Sequence, residues 1–103
     1  MRAIARLRVS GYFLSMNIRR LIGDNIRAFR ELNGLSQEEL GDIAGMNRVY
    51  IGAVERGERN ITIDNLSELA EALQVPLPIL LTEGASRWVR PRNVKVAIRR
   101  RSS

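Results

Sequence analysis

Residues 36–57, with the sequence SQEELGDIAGMNRVYIGAVERG, decide the fold of this chain. Ser36, followed three residues later by Glu39, forms a capping box, which predicts the start of a helix. Gly45 supplies the positive φ that a short turn requires, and Asn47 is a residue type that caps the next helix. The stretch therefore predicts two short helices joined by a turn of about three or four residues.

The apolar residues of this stretch predict how the two helices pack. Leu40 and Ala44 share one face of the first helix. Ile51 and Val54 share one face of the second helix and point back at the first, while Met46 fills the corner between them. This packing leaves the outer face of the second helix free to enter the major groove of duplex DNA. The apolar spacing taken alone also fits an ordinary helical hairpin.

Helical patterns flank this pair on both sides. The helix before it ends at Gly34, and Thr62 caps the helix after it. Pro76 and Pro78 suit the first turn of a short fifth helix over residues 77–81. The residues predicted to face inward are Ile22, Ile26 and Phe29 before the pair, and Ile63, Leu66, Leu69, Ala70 and Leu73 after it. The sequence thus predicts an all-α fold of five helices.

The composition excludes several classes of function. The chain of 103 residues has the size of one domain. It contains neither cysteine nor histidine, which excludes disulfides, thiol nucleophiles, Cys/His zinc sites and histidine acid–base catalysis. No apolar run is long enough to span a membrane, and the absence of cysteine fits a cytoplasmic protein. We expect no catalytic residue, no metal site and no cofactor.

The charge distribution divides the chain into three zones. The net charge of +6 is the balance of +5 over residues 1–20, −6 over residues 21–84 and +7 over residues 85–103. We predict a basic leader at 1–17, a helical domain at 18–83 and a basic tail at 84–103. Alternating patterns at 3–9 and 94–99 fit short strands, but we favour a disordered basic arm at each end. The tail cations predicted to contact phosphates are Arg87, Arg90, Arg92, Lys95, Arg99, Arg100 and Arg101.

Residue identities at three places resemble a known family. They are Ser36-Gln37 at a helix start, Ala44-Gly45 at the corner, and Glu55-Arg56-Gly57 at the end of the next helix. Over residues 18–83 the chain resembles the XRE family, to which the DNA-binding domains of phage Cro and repressor proteins belong. Residues 48–60 are particularly similar to restriction–modification controller proteins. The resemblance implies a repressor-like domain of five helices whose third helix contacts DNA bases.

The same resemblance implies roles for particular residues. The residues implied to contact bases are Asn47, Arg48, Val49, Gly52 and Ala53. The residues implied to contact the sugar–phosphate backbone are Gln37, Tyr50, Arg56, Arg59 and Asn60. Matching positions of the family join the first helix to the end of the third, which implies a structural ion pair between Arg30 and Glu55.

An apolar cluster near residue 80 predicts a two-fold dimer. Four helices can bury only part of it, and in related proteins the last helix is often the dimer surface. The predicted interface residues are Leu77, Ile79, Leu80 and Leu81. The alternative is that this last helix merely completes the core. A dimer would place two copies of the third helix on the two halves of a pseudo-palindromic DNA site.

Several of these residues have simpler alternative roles. Arg48 is also compatible with a solvated surface charge, Asn47 with a helix cap only, and Arg59 with an ion pair to Glu58. Two positions depart from the family. Gly41 replaces the usual alanine, and Gly52 lies inside the third helix at a cost of about 1 kcal/mol relative to alanine.

The sequence therefore predicts a transcriptional regulator that binds specific sites on double-stranded DNA as a homodimer. An antitoxin is the first alternative, because antitoxins use this domain to bind DNA and an added segment to bind a toxin. An enzyme has little support, since no paired carboxylates, phosphate-binding glycine loop or nucleophile with a base is present. A basic peptide that binds RNA or membranes, carried on a helical scaffold, is the third alternative.

Overall fold

The computed structural model of the protein describes residues 18–92. Within them the chain is helical from residue 18, the first described, to residue 32, and we name this helix α1. The elements that follow are α2 (Gln37–Ala44), α3 (Arg48–Glu55), α4 (Ile63–Leu73) and two 3-10 helices at Leu77–Leu81 and Ala85–Arg87. No strand occurs among residues 18–92, in agreement with the predicted all-α class. The possible strands at 3–9 and 94–99 lie outside the described residues.

The predicted helix caps are confirmed. Oγ of Ser36 accepts a hydrogen bond from the backbone N–H of Glu39 at 3.0 Å, and Oε1 of Glu39 accepts one from the N–H of Ser36 at 2.9 Å. Asn47 caps α3 through Oδ1, and Thr62 caps α4 through Oγ1. Each of these bonds satisfies a backbone N–H that has no partner within its own helix.

The turn between α2 and α3 depends on Gly45. Its φ of 74° lies in the left-handed region that other residues rarely adopt. The next residue, Met46, donates its N–H to the carbonyl oxygen of Gly41 at 2.8 Å, which folds the chain back against α2. The turn thereby directs α3 across α2, as the sequence predicted.

The core lies where the four helices meet. The largest fully buried apolar side chains come from every helix, and they are Ile26, Phe29, Leu40, Ile51, Leu69, Leu73 and Leu80. The prediction that Ile63 faces inward is wrong, because this side chain is 76% exposed. Ile63 is the first residue of α4, and the apolar face of that helix reaches the core only from Leu66 onward.

The predicted fifth helix is a 3-10 helix. Its backbone N–H groups bond to carbonyls three residues back, as from Ile79 to Pro76 at 3.0 Å. The element is only five residues long, and short helical segments commonly adopt this tighter geometry. The buried amide of Asn25 donates to the carbonyls of Leu80 and Thr82, both at 2.9 Å, and so ties this element to α1.

The helical domain extends beyond the predicted boundary at residue 83. Ala85 in the second 3-10 helix is fully buried, and Val89 packs against the core. The N–H of Arg92 donates to the carbonyl oxygen of Gln74 at 2.9 Å. Residues 84–92, which the charge pattern assigned to the basic tail, therefore cover one end of α4. None of the helices in residues 18–92 is long and apolar enough to cross a membrane.

Gly23 sits where α1 crosses the end of α3, and this position generates a prediction. A Cβ built on Gly23 would lie 2.5 Å from the carbonyl oxygen of Val54 and 2.6 Å from that of Glu55. Backbone atoms cannot move aside easily, so Gly23→Ala should lower the free energy of unfolding by about 1–3 kcal/mol. Urea denaturation of the two proteins measures this difference.

Gly52→Ala is the matched control for this experiment. A Cβ on Gly52 would meet only side-chain atoms, the nearest being Nη1 of Arg56 at 3.2 Å, and a guanidinium end can move. Because alanine favours a helix more than glycine, this variant should be as stable as the parent or more stable by up to about 1 kcal/mol. Equal stability of Gly23→Ala and the parent would contradict the close approach of α1 to α3.

Candidate nucleic-acid interface

An ion pair fixes the carboxyl end of α3. Nε of Arg30 lies 2.6 Å from Oε2 of Glu55, and Nη2 lies 3.0 Å from Oε1. The Arg30 and Glu55 side chains are only 12% and 5% exposed. Nη1 of Arg30 also donates to the carbonyl oxygen of Leu35 at 2.8 Å. The two residues named from the family resemblance thus join α1 to the last residue of α3.

The carboxylate of Glu55 favours the charged form of Arg30. The hydrogen bond to Glu55 raises the pKa of Arg30 above its ordinary value, although burial opposes this shift. The hydrogen bond therefore favours the protonated guanidinium. A charged Arg30 in turn provides the partner that a buried carboxylate requires.

Gln37 contacts the same carboxylate. Its Nε2 donates to Oε1 of Glu55 at 3.0 Å, so the half-buried side chain extends from the first turn of α2 to the end of α3. A Cβ built on Gly52 would lie 3.5 Å from Oε1 of Gln37. Gln37 therefore lies against the part of α3 that has no side chain, an arrangement that the sequence did not predict.

The first turn of α3 presents its side chains to solvent. Asn47, Arg48 and Val49 are all exposed, and Val49 has 71% of its surface accessible. The oxygen of Asn47 is engaged as the cap of the helix, which leaves its NH₂ group available as a donor. Among residues 18–92, Arg48 has neither a hydrogen bond nor an ion pair. The guanidinium of Arg48 and the apolar side chain of Val49 are thus both exposed at the start of α3.

Gly52 and Ala53 differ from the other residues that the resemblance placed at the bases. Both are buried in the described chain, and neither has a side chain that donates or accepts hydrogen bonds. Arg56 and Gln37 lie over Gly52. At Gly52 the polar groups nearest the surface therefore belong to Arg56 and Gln37 and not to α3 itself.

Apart from Gln37 on α2, the residues expected at the DNA backbone lie on α3 or in the loop that follows it. The carboxylate of Glu58 pairs with Nε of Arg56 at 3.1 Å, so the alternative pairing of Glu58 with Arg59 is wrong. Instead, Cζ of Arg59 lies 5.1 Å above the centre of the Tyr50 ring. Oη of Tyr50, which is half-buried, accepts a hydrogen bond from Nδ2 of Asn65 at 3.1 Å.

Two contacts at this loop were missed by sequence reasoning. One is the bond from Asn65 to Tyr50, and the other is a hydrogen bond from Nη2 of Arg19 to Oδ1 of Asn60 at 3.0 Å. The second contact joins residues 41 positions apart. No periodicity or spacing in the sequence indicates such a pair, since both residue types are common on solvated surfaces.

The predicted dimer residues fall into two groups. Leu81 is 42% exposed, and Leu77 and Ile79 are half-buried, so all three can contact another molecule. Leu80 is fully buried within its own chain, and the assignment of this residue to an interface is wrong. The 3-10 geometry turns Leu80 into the core while its neighbours remain at the surface.

The fold and this surface define a DNA-binding protein of the helix-turn-helix class. Residues 26–80 match the model of the family described as helix-turn-helix, and the chain belongs to that family. It is 49% identical over 67 residues to the control protein C.SmaI of Serratia marcescens, a match that covers 65% of this chain and 80% of the relative. The protein is therefore a DNA-binding transcriptional regulator.

Other relatives agree with this assignment. The control protein C.BamHI of Bacillus amyloliquefaciens is 38% identical over 63 residues, covering 60% of this chain and 78% of the relative. The crystal structure of the restriction-modification controller protein C.AhdI from Aeromonas hydrophila superposes with a TM-score of 0.59 at 40% identity, covering 60% of this chain and 94% of that one. The antitoxin alternative finds no support in these relatives.

The Arg30–Glu55 pair leads to a prediction about stability. Arg30→Ala leaves a buried carboxylate without its charged partner and should lower the free energy of unfolding by about 3–5 kcal/mol. The matched control is Arg27→Ala on the same helix, because Arg27 pairs with Glu31 on an exposed surface. That loss should be no more than about 1 kcal/mol. If Arg30→Ala abolished DNA binding at an unchanged melting temperature, Arg30 would be a DNA contact and not a structural residue.

Proposed function

We propose that the protein is a control protein of the restriction–modification type that binds a pseudo-palindromic DNA site as a two-fold dimer. The observation that carries this proposal is the exposed first turn of α3. Arg48 there has no carboxylate partner within residues 18–92. The likeness to control proteins over 67 residues supports the biological role.

Arg48 is the residue best suited to discriminate between bases. Its planar guanidinium matches the O6 and N7 acceptors of guanine, and a bidentate contact of this kind contributes about 1–3 kcal/mol of discrimination. Exposed Val49 beside it suits the methyl group of thymine, and the free NH₂ group of Asn47 suits a base acceptor. Gly52 and Ala53 are buried in the described chain, so their proposed contribution is limited to the small size that lets α3 lie close to the base edges.

The backbone contacts are proposed for a second set of residues. Gln37 has two amide hydrogens, one of which is directed to Glu55, so the other remains for a phosphate oxygen. Gln37 also lies at the amino end of α2, where backbone N–H groups favour an anion. The residues proposed to contact the sugar–phosphate chain with it are Tyr50, Arg56, Arg59 and Asn60. The phosphate contacts of the basic tail remain a prediction, since Lys95, Arg99, Arg100 and Arg101 lie outside the described residues.

The dimer is proposed to form through the exposed side of the first 3-10 helix. Leu81 is 42% exposed there, and Leu77 and Ile79, which pack partly against the core, leave the rest of their apolar surface accessible. A second copy of the same surface would cover it, since two-fold interfaces are self-complementary. Two copies of α3 would then contact half-sites about 34 Å apart, which is one turn of DNA.

Substitution of Arg48 tests the base contact. Arg48→Ala should relax the preference at one position in each half-site, because only that base pair loses its partner. Gln37→Ala should weaken binding to all sequences alike, because a phosphate contact carries no sequence information. Selection of bound sites from random duplexes, carried out with the parent and both variants, measures the two effects. Equal loss on all sequences for both variants would make Arg48 a phosphate contact only.

Substitution of Leu81 tests the dimer. Leu81→Glu places a charge in the proposed interface, and we expect a folded monomer that binds the full site more weakly than the parent. Ile63→Glu is the matched control, since Ile63 is also an exposed apolar residue but lies outside this cluster. Analytical ultracentrifugation at micromolar concentration separates the two states. A Leu81→Glu protein that stays dimeric would place the interface elsewhere.

A further inference from the structure

The beginning of α1 is held beside the loop that follows α3. Nη2 of Arg19 donates to Oδ1 of Asn60 at 3.0 Å. The backbone of Gly57 approaches α1 so closely that a Cβ built on it would lie 3.3 Å from the Cα of Arg20. One side-chain contact and one backbone contact therefore position residues 19–20 against residues 57–60.

The contacts continue from this loop to α3. Arg59, the neighbour of Asn60 in the chain, lies over the ring of Tyr50 at 5.1 Å. Tyr50 belongs to the first turns of α3 and follows Arg48 by two residues. A continuous series of contacts thus connects the proposed base-contacting helix to the start of α1. We refer to Arg19, Arg20, Tyr50, Arg59 and Asn60 together as the α1 junction.

The α1 junction contains three arginines that have no carboxylate partner among residues 18–92. Residues 18–92 contain ten arginines and eleven acidic residues, so their net charge is −1. Three of these arginines have carboxylate partners, in the pairs Arg27–Glu31, Arg30–Glu55 and Arg56–Glu58. Within the same described range the other seven arginines have none, and three of these seven, Arg19, Arg20 and Arg59, belong to the α1 junction. Three positive charges without an acidic partner are therefore gathered at one edge of a slightly acidic domain.

The chemistry of the α1 junction suits phosphate. The hydrogen bond from Arg19 goes to a neutral amide, so the guanidinium keeps its full charge and uses one of five N–H donors. The remaining donors match the oxygens of a phosphate group in a bidentate arrangement. Because Tyr50 lies on α3, a duplex that receives α3 in its major groove would bring its sugar–phosphate chain to this edge.

We propose that Arg19 and Arg20 bind the phosphate backbone of duplex DNA beside the groove that α3 enters, with Asn60 orienting Arg19. The proposal rests on the proposed role of α3 and extends the DNA-contacting surface to α1. Neither arginine was among the contact residues inferred from the sequence, where both counted only toward the charge of the amino-terminal zone. Their contribution is to affinity and not to the choice of bases.

The salt dependence of binding tests this proposal. The probe is a fluorescein-labelled duplex of mixed sequence, titrated with the full-length protein over a series of NaCl concentrations. Arg19→Ala and Arg20→Ala should each make the logarithmic salt slope shallower by about 0.9, and the double variant by about twice as much. Arg19→Lys should keep the slope of the parent, since an ammonium group also displaces a counterion.

Arg27→Ala is the matched control, because it removes the same charge from the same helix away from the α1 junction. It should leave the slope unchanged. An equal change in slope for Arg27→Ala and Arg19→Ala would reveal a general charge effect and overturn the assignment to the α1 junction. A double variant with the parental melting temperature and the parental slope would also overturn it.

The results of these experiments distinguish a failure of the α1 contact from a failure of the proposed function. If the parent binds duplexes with a sequence preference that Arg48→Ala relaxes, the role of α3 stands whatever the arginines of α1 do. In that case an unchanged slope in the double variant refutes the α1 contact alone. If the parent binds no duplex, both proposals are wrong.

Discussion

The carboxylate of Glu55 is the point at which three helices meet. It accepts two hydrogen bonds from Arg30 of α1 and one from Gln37 of α2, while Glu55 itself is the last residue of α3. A buried carboxylate is stable only when such partners surround it. The orientation of α3, and with it the exposed face proposed to meet DNA, therefore depends on α1 and α2 being correctly packed. Through Gln37 the same network also links a proposed phosphate contact to the fold.

Two glycines permit the helices to come this close together. Gly23 brings the backbone of α1 against the carbonyl oxygens that end α3. A Cβ on Gly41 would overlap the carbonyl oxygen of Met46, so the turn after α2 packs more tightly than an alanine at that position would allow. The departure of Gly41 from the family pattern thus has a local physical reason. At both positions the absence of a side chain lets one backbone segment pack directly against another.

The positions of the charged residues, and not the net charge, determine the electrostatic character of the domain. A net charge of −1 over residues 18–92 supplies no general attraction for a polyanion. Acidic side chains neutralise three of the ten arginines there by direct pairing, with Glu55 and Glu58 pairing at and just beyond the end of α3. The seven arginines without a carboxylate partner in this range include Arg48 on α3 and Arg19, Arg20 and Arg59 of the α1 junction, which are the residues proposed to meet DNA.

The sequence by itself determined the helices and the turn that joins α2 to α3. Caps such as Ser36 and Asn47, and the left-handed Gly45, act between residues a few positions apart, so the local sequence contains all the information they need. Only the tertiary structure decided that Ile63 is exposed, that Leu80 is buried, and that residues 84–92 pack on α4. It alone brought Arg19 to Asn60 and Gln37 to Glu55, because these contacts join distant segments whose proximity arises only when the whole core has packed.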